Sequence, residues 1–210
     1  MTPQREARFK EVIKARQPNL TVILENVHDP HNISAVLRTC DSVGITEIFV
    51  LYTNVKKENL ELGKRSSSGA RKWVDVHLYN DVDKCMQAVK AKYDKIYATH
   101  LSEDAVDFYS LDLTESVALL FGNEHSGVSK ESLEYCSGNF LIPQVGMVKS
   151  LNISVACAVT IYEAFRQRQQ KGFYGDNSLL SESEQKAMWQ DYENRHERWI
   201  DEVDKKIQAK

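Results

Sequence analysis

Three short apolar runs constrain this chain more than anything else in it: TVILE at 21–25, IFVLY at 48–52 and VALLF at 117–121. They are rich in β-branched and aromatic residues, which favour strands. None shows the apolar–polar alternation of a strand with one wet face. Strands read this way when both faces of the sheet are covered, as in parallel sheets flanked by helices. Helical patterns separate the runs, so the fold class expected is α/β: a mostly parallel sheet with helices on both faces, plus helical extensions at the termini.

The remaining elements follow from local signals. Residues 4–16 read as a short helix ended by Pro18. Asn32 is expected to cap a helix running through Val43, with Ile33, Val36, Leu37 and Cys40 on one apolar face. Gly44 suits the position just past that helix, where a left-handed backbone costs glycine little. Further helices are expected near 81–92, at Glu131–Cys136 and from Asn152 to about Arg168, with strands at 95–99 and 140–143. Val155, Val159, Tyr162 and Phe165 are apolar positions of the long helix. Gly172–Asn177 reads as a linker, and Ser181 with Glu184 matches a capping box. The tail helix that follows carries Met188, Trp189, Tyr192, His196, Trp199, Val203 and Ile207 at mostly three- and four-residue steps. Its aromatics dock on the domain, on a second subunit or on RNA, and the first is the simplest arrangement. The chain divides into a basic N-terminal helix (1–18), a core (19–170), and a linker with an amphipathic helix (171–210).

Net charge is −3, which argues weakly against a nucleic-acid partner, but the distribution is uneven. Residues 56–72 hold Lys56, Lys57, Lys64, Arg65, Arg71 and Lys72 against Glu58 and Glu61. Residues 1–16 hold Arg5, Arg8, Lys10, Lys14 and Arg16 against Glu6 and Glu11, and Arg166, Arg168 and Lys171 follow late in the chain. These patches are either ordinary solvated surface or a track for phosphates. The basic N-terminus is not followed by an apolar h-region, and no stretch has the roughly twenty apolar residues of a membrane span, so neither leader nor anchor is expected. Cys40, Cys85, Cys136 and Cys157 lie in or beside apolar segments with no CxxC pairing, as buried thiols of a reducing cytoplasm would.

Three junctions between elements carry the chemistry. The first, NVHDPHNISAVLRTCDSVG (26–44), places Arg38 three residues before Asp41 on a similar helix face. Read alone, Arg38 either satisfies Asp41 or meets a phosphate with its planar fork of donors. His28 and His31 lack further ligands at convincing spacing, so no metal is expected. In the second, FGNEHSGVS (121–129), Gly122 permits close approach of a ligand and Glu124 stands beyond a strand end, where α/β folds bind ligands. It is equally a tight turn with a capping acid. The third, IPQVGMVKSLNISVACAVTIYEAFR (142–166), leads Ser150, Leu151 and Asn152 into a helix start whose free N–H groups can grip a polar ligand. A plain helix cap would need only one of these polar residues. No GxGxxG or Walker pattern occurs, which disfavours a nicotinamide oxidoreductase or a triphosphate site.

Together these segments resemble the SPOUT superfamily, and more closely the TrmH family of RNA ribose 2′-O-methyltransferases. N-x-x-A-x-x-R-T-x-D is present as Asn32, Ala35, Arg38, Thr39 and Asp41. F-G-N-E-x-x-G is present as Phe121, Gly122, Asn123, Glu124 and Gly127. I-P-x-x-G-x-x-x-S-L-N-x-S-x-A runs from Ile142 through Gly146, Ser150, Leu151, Asn152 and Ser154 to Ala156. All three stand in order at family spacing, and the resemblance covers about residues 5–175. It is nearest to members that methylate the D-loop guanosine of tRNA. An rRNA target, the tRNA wobble nucleotide and a non-catalytic knotted RNA-binding protein are the alternatives.

The resemblance implies S-adenosylmethionine as methyl donor, a C-terminal trefoil knot, a homodimer, tRNA as partner, and neither DNA nor membrane. It assigns the chemistry to Arg38, Asn32, Glu124, Asn152 and Ser150. Thr99, His100, Leu101, Gly122, Ile142, Met147 and Leu151 are implied as the cofactor cleft. For RNA phosphates the expected contacts are Arg5, Arg8, Arg16, Lys64, Arg65, Arg166 and Arg168.

Overall fold

A computed structural model describes residues 1–54, 69–102, 104–148, 150–175 and 177–208, with side chains described through residue 199. Its elements are α1 (Pro3–Lys14), β1 (Leu20–Glu25), α2 (Pro30–Ser42), β2 (Glu47–Leu51), β3 (Asp75–Tyr79), α3 (Val82–Lys90), β4 (Lys95–Thr99), β5 (Val106–Asp107), β6 (Val117–Phe121), α4 (Lys130–Leu133), β7 (Gly138–Leu141), α5 (Ile153–Gln170) and α6 (Glu182–Gln208). The described strands form a seven-stranded sheet in the order β3-β2-β1-β6-β4-β7-β5, and every pairing is parallel.

The apolar runs fill both faces. In β1, Leu20, Val22 and Leu24 join one core with Val36, Leu37 and Cys40 of α2 and Cys157 and Ile161 of α5. Ile23, between them, joins the opposite core with Cys85, Met86 and Val89 of α3. β6 divides the same way, Val117, Leu119 and Phe121 against Ala118 and Leu120. Side chains still alternate, as a pleated strand requires, but each face meets helices, so neither set needs to be polar.

Several sequence expectations need correcting. Asn32 does not cap α2: Asp29 does, its carboxylate accepting the His31 N–H at 2.8 Å, with Pro30 in the first turn. That frees Asn32, which lies inside the first turn and is 8% exposed. β7 ends at Leu141, so Ile142 and Pro143 are outside it, and the helix expected at Glu131–Cys136 shrinks to Lys130–Leu133. β3 and β5 were not expected; both are edge strands with partly or fully exposed side chains. The 172–177 linker is pinned: the Tyr174 hydroxyl donates to the Val43 carbonyl at 2.8 Å, and Gln17 Nε2 donates to the Phe173 carbonyl at 3.1 Å. Gly44, with φ +88°, does end α2, and an added Cβ would lie 2.3 Å from the Ala15 carbonyl oxygen.

The tail helix docks on the domain. Phe9 and Ile13 of α1 share a small core with Leu180 and Tyr192, and Trp73, Met188 and Trp189 pack against it. Phe9 meets Trp73, Trp189 and Tyr192 edge-on at centroid distances of 5.5, 5.9 and 5.6 Å, a favoured aromatic arrangement. The Ser181–Glu184 capping box forms: the Ser181 N–H donates to the Glu184 carboxylate at 2.8 Å.

Candidate active site

The three junctions meet beyond the carboxyl ends of β1, β4, β6 and β7. Their link is a chain of side-chain hydrogen bonds. Asn152 Nδ2 donates to Asn32 Oδ1 at 3.1 Å, and Asn32 Nδ2 donates to Glu124 Oε1 at 2.8 Å. One residue from each junction takes part, and the middle one is buried. Asn152 also caps α5, its Oδ1 accepting the Ser154 N–H at 2.9 Å. One side chain therefore serves both as cap and as bridge, because an amide has an acceptor and donors to divide between them.

Glu124 sits on a tight loop. The Gly127 N–H donates to the Asn123 carbonyl at 2.8 Å, closing the turn. At Gly122 an added Cβ would lie 2.1 Å from the Gly127 carbonyl carbon, so the two legs of the loop touch and only glycine fits. Gly127 has φ +66° and takes the left-handed position. Asn123 fixes the turn, with Nδ2 on the Asn26 carbonyl at 2.8 Å and Oδ1 accepting the His125 N–H at 2.8 Å. Sequence reasoning missed this role, although Asn before such a turn is a recognisable Asx signal.

Arg38 is exposed on α2 and has no hydrogen bond or ion pair among the described residues. Asp41 does not neutralise it. The Asp41 carboxylate is taken by Arg16, whose Nη2 donates to Oδ1 at 2.9 Å. The alternative in which Arg38 merely satisfies Asp41 is therefore excluded, and the guanidinium stands without a partner among the described residues. Ser150 is exposed next to Asn152 and has no hydrogen bond among the described residues.

The residues expected to line a cofactor cleft gather at the same strand ends. Thr99 closes β4, and its hydroxyl donates to the Leu120 carbonyl at 3.4 Å. His100, Gly122, Ile142 and Leu151 are half-buried. Leu101 and Met147 are apolar and 79% and 98% exposed. Apolar side chains beside partly buried glycine and helix-start groups suit the flat face of a nucleobase with polar groups at its edge.

The basic residues divide. Arg8 and Arg166 are exposed, paired with Glu11 at 3.3 Å and with Glu163 at 2.6 Å. Arg5 is half-buried, its guanidinium 5.6 Å from the Phe9 ring centroid and 5.9 Å from that of Trp73. Lys64 and Arg65 lie outside the described residues. Arg16 and Arg168 are corrections: both have 0% exposure and cannot reach a phosphate. Arg16 is consumed by Tyr192 Oη at 2.7 Å, the Ile45 carbonyl at 3.3 Å and Asp41. Arg168 donates to the carbonyls of Leu113, Asn19 and Glu115 and to the side-chain oxygens of Gln17 and Asn19. Burial pushes its guanidinium down to about 10. A cavity of about 510 Å³, lined by Arg5, Phe9, Arg16, Trp73, Tyr174 and Tyr192 among others, lies at the opposite end of the sheet and takes no part in this site.

Comparison with known proteins agrees with this geometry. Residues 19–162 match the SpoU rRNA Methylase family. A tRNA (guanosine(18)-2′-O)-methyltransferase of Thermus thermophilus is 44% identical over 187 residues, 89% of this chain and 95% of that protein. The crystal structure of the Aquifex aeolicus TrmH/SpoU tRNA modifying enzyme superposes with a TM-score of 0.79 at 37% identity, covering 91% of this chain and 96% of that one. The SpoU methyltransferase AviRb from Streptomyces viridochromogenes, solved with S-adenosylmethionine, superposes with a TM-score of 0.64 at 27% identity, covering 73% of this chain and 59% of that one.

Proposed function

The chain belongs to the SpoU rRNA methylase family, and on that premise we propose that it is a tRNA (guanosine(18)-2′-O)-methyltransferase using S-adenosylmethionine. The observation that carries this reading is the Asn152–Asn32–Glu124 chain, which joins all three sequence junctions beside an unpaired Arg38.

The chemistry requires a ribose 2′-hydroxyl to attack a methyl group. When bound, S-adenosylmethionine supplies that methyl on a positively charged sulfur, and Thr99, His100, Leu101, Gly122, Ile142, Met147 and Leu151 are the residues that would hold it. A hydroxyl is a weak nucleophile, so its proton must be removed or its developing charge stabilised. Arg38 is no base, since a guanidinium carries donors only and has no acceptor for a proton. Its role is to hold the substrate phosphate by charge-assisted bonds, with that phosphate as the acceptor of the hydroxyl proton, and to stabilise negative charge on the attacking oxygen. Glu124 uses one carboxylate oxygen on Asn32, and its other oxygen remains for a substrate hydroxyl. Asn32, held on both sides, keeps Glu124 and Asn152 at fixed separation. Ser150 contributes a hydroxyl at the mouth of α5.

The division into a catalytic body at 19–170, with flanking helices at 1–18 and 171–210, belongs to the same reading. So do the trefoil knot, the homodimer and a cytoplasmic location. The dimer is supported by α5, where Val155, Val159 and Tyr162 are 47%, 37% and 51% exposed at four- and three-residue steps, one apolar stripe on one helix face. Buried thiols such as Cys40 and Cys157 suit a reducing compartment. Arg5, Arg8 and Arg166 remain as phosphate contacts.

The test is incubation with unmodified tRNA transcripts and methyl-labelled donor, followed by mapping of the labelled nucleotide. Label on the guanosine-18 ribose supports the assignment, and label elsewhere or none rejects it.

A further inference from the structure

The Glu124 loop is held at both legs by two consecutive residues at the exit of β1. Asn26 has φ +54° and is the non-glycine residue with positive φ among those described. A left-handed conformation is uncommon outside glycine, and asparagine takes it where local hydrogen bonds hold it there. Here the bend puts the whole residue to use. Its N–H donates to the Leu51 carbonyl at 2.8 Å, and its carbonyl accepts Asn123 Nδ2 at 2.8 Å. Its side chain exchanges two hydrogen bonds with Thr53, each 2.9 Å. The first leg of the loop is thereby tied to β1 and to the exit of β2.

Glu25 ties the second leg. It has 0% exposure, and its Oε2 accepts the Ser129 N–H at 3.2 Å. Oε1 is buried with no partner among the described residues. The thiols of Cys85 and Cys136 stand nearby, each pushed up to about 12, first by burial and then by Glu25. A buried carboxylate with one amide partner and, among the described residues, no ion pair is a poor way to hold a core together. An apolar side chain of equal length at such a site is commonly neutral or stabilising. What the carboxylate does supply is one directional bond to the residue where the loop returns.

We infer that Glu25 and Asn26 are positioning residues of the methyl-transfer site: together they set where Glu124 meets Asn32. The legs at Gly122 and Gly127 are in contact, so displacement at Ser129 has no slack in which to dissipate before it reaches Glu124. This inference rests on the proposed reaction for its kinetic readout only.

The test uses the full-length protein with Glu25→Met, which keeps length and removes the acceptor, and Glu25→Gln, which keeps an acceptor for Ser129. Glu25→Asp is the third variant, for the case in which the methionine chain fails to fold. It keeps the charge and withdraws the oxygen by one methylene. Three quantities are read: the unfolding midpoint, kcat with tRNA, and hydrogen-exchange protection of the His125, Ser126 and Gly127 amides. Misplacement of about 1 Å costs up to a hundredfold in rate, so Glu25→Met should lower kcat on the order of tenfold to a hundredfold. Its midpoint should be unchanged or raised, its loop amides should exchange faster, and Glu25→Gln should restore protection and most of kcat. Wild-type kcat and protection in Glu25→Met would overturn the inference, and so would a fall in kcat matched by loss of midpoint with the loop still protected. If the wild-type protein methylates no RNA, the proposed function fails, and the exchange data still decide the clamp.

Discussion

Arg168→Met separates two uses of a late basic residue: phosphate contact, as its charge suggests, or a bolt across the starts of two strands, as its burial requires. The wild-type guanidinium makes five hydrogen bonds, three of them to main-chain carbonyls. The Asn19 carbonyl keeps a second partner, the Val117 N–H at 2.9 Å, but those of Leu113 and Glu115 have no other among the described residues. Methionine fills most of the volume and returns none of the donors. Orphaning the buried Leu113 carbonyl costs about 2 kcal/mol, and the part-buried Glu115 carbonyl adds less, so a loss of about 3 kcal/mol is expected. That is a large share of the roughly 5–15 kcal/mol by which domains are stable. Urea unfolding at fixed protein concentration measures it, and the midpoint should fall without a change in slope. Under conditions where the variant is still folded, tRNA affinity and its salt dependence should match the wild type. A loss of stability below about 1 kcal/mol, together with a salt slope reduced by about 1, would refute the structural reading.

Arg38→Ala should abolish methyl transfer while leaving cofactor affinity, measured by calorimetry, within about threefold, because Arg38 faces solvent and supports no other described group. Asn32→Ala removes the central link of the hydrogen-bond chain, one bond of it to a carboxylate, and should cost about 2–4 kcal/mol in transition-state stabilisation, seen as a fall in kcat/KM. Val159→Glu places a charge in the exposed stripe of α5 and should shift sedimentation toward monomer; an unchanged sedimentation coefficient rejects that stripe as the interface. Burial alone would raise the carboxyl of Glu47, but hydrogen bonds from Lys92 and His77, the Lys92 charge and the Tyr93 hydroxyl outweigh it and hold it below its usual value near 4.5. Its contribution to stability is then complete above about pH 4.5 and is lost as pH falls through the lowered folded value. Glu47→Gln should flatten that part of the acid-unfolding curve.

How much of this was legible in the sequence varies with the kind of force involved. The strands read from the sequence at 95–99 and 117–121 coincide with β4 and β6, and those at 21–25 and 48–52 lie within one residue of β1 and β2, because buried apolar runs report the solvent they avoid. β3 reads DVHLY and escaped notice: at the sheet edge it is half-covered, and its Asp75 and His77 dilute the pattern. The α2 cap was misassigned between two residues of capping type, and Pro30 holds the missing clue. Proline fits the first helical position, which makes the residue before it, Asp29, the cap. That correction bears on the hydrogen-bond chain: as a cap Asn32 would spend its Oδ1 on its own helix, whereas here Oδ1 accepts from Asn152 while Nδ2 donates to Glu124.

The arginines show why charge counting stops short. Arg16, Arg38 and Arg168 are the same residue type in helical or near-helical segments, and no local pattern separates them. Their fates depend on acceptors brought from elsewhere: Asn19, Leu113 and Glu115 surround Arg168, while Tyr192, Ile45 and Asp41 surround Arg16. Arg38 is left exposed because Arg16 has taken the one acid, Asp41, that stands three residues from it. An inward guanidinium thus removes the counter-charge from an outward one. The helix then presents a cation with no partner among the described residues, and under the proposed function a substrate phosphate takes the place that Asp41 gives to Arg16.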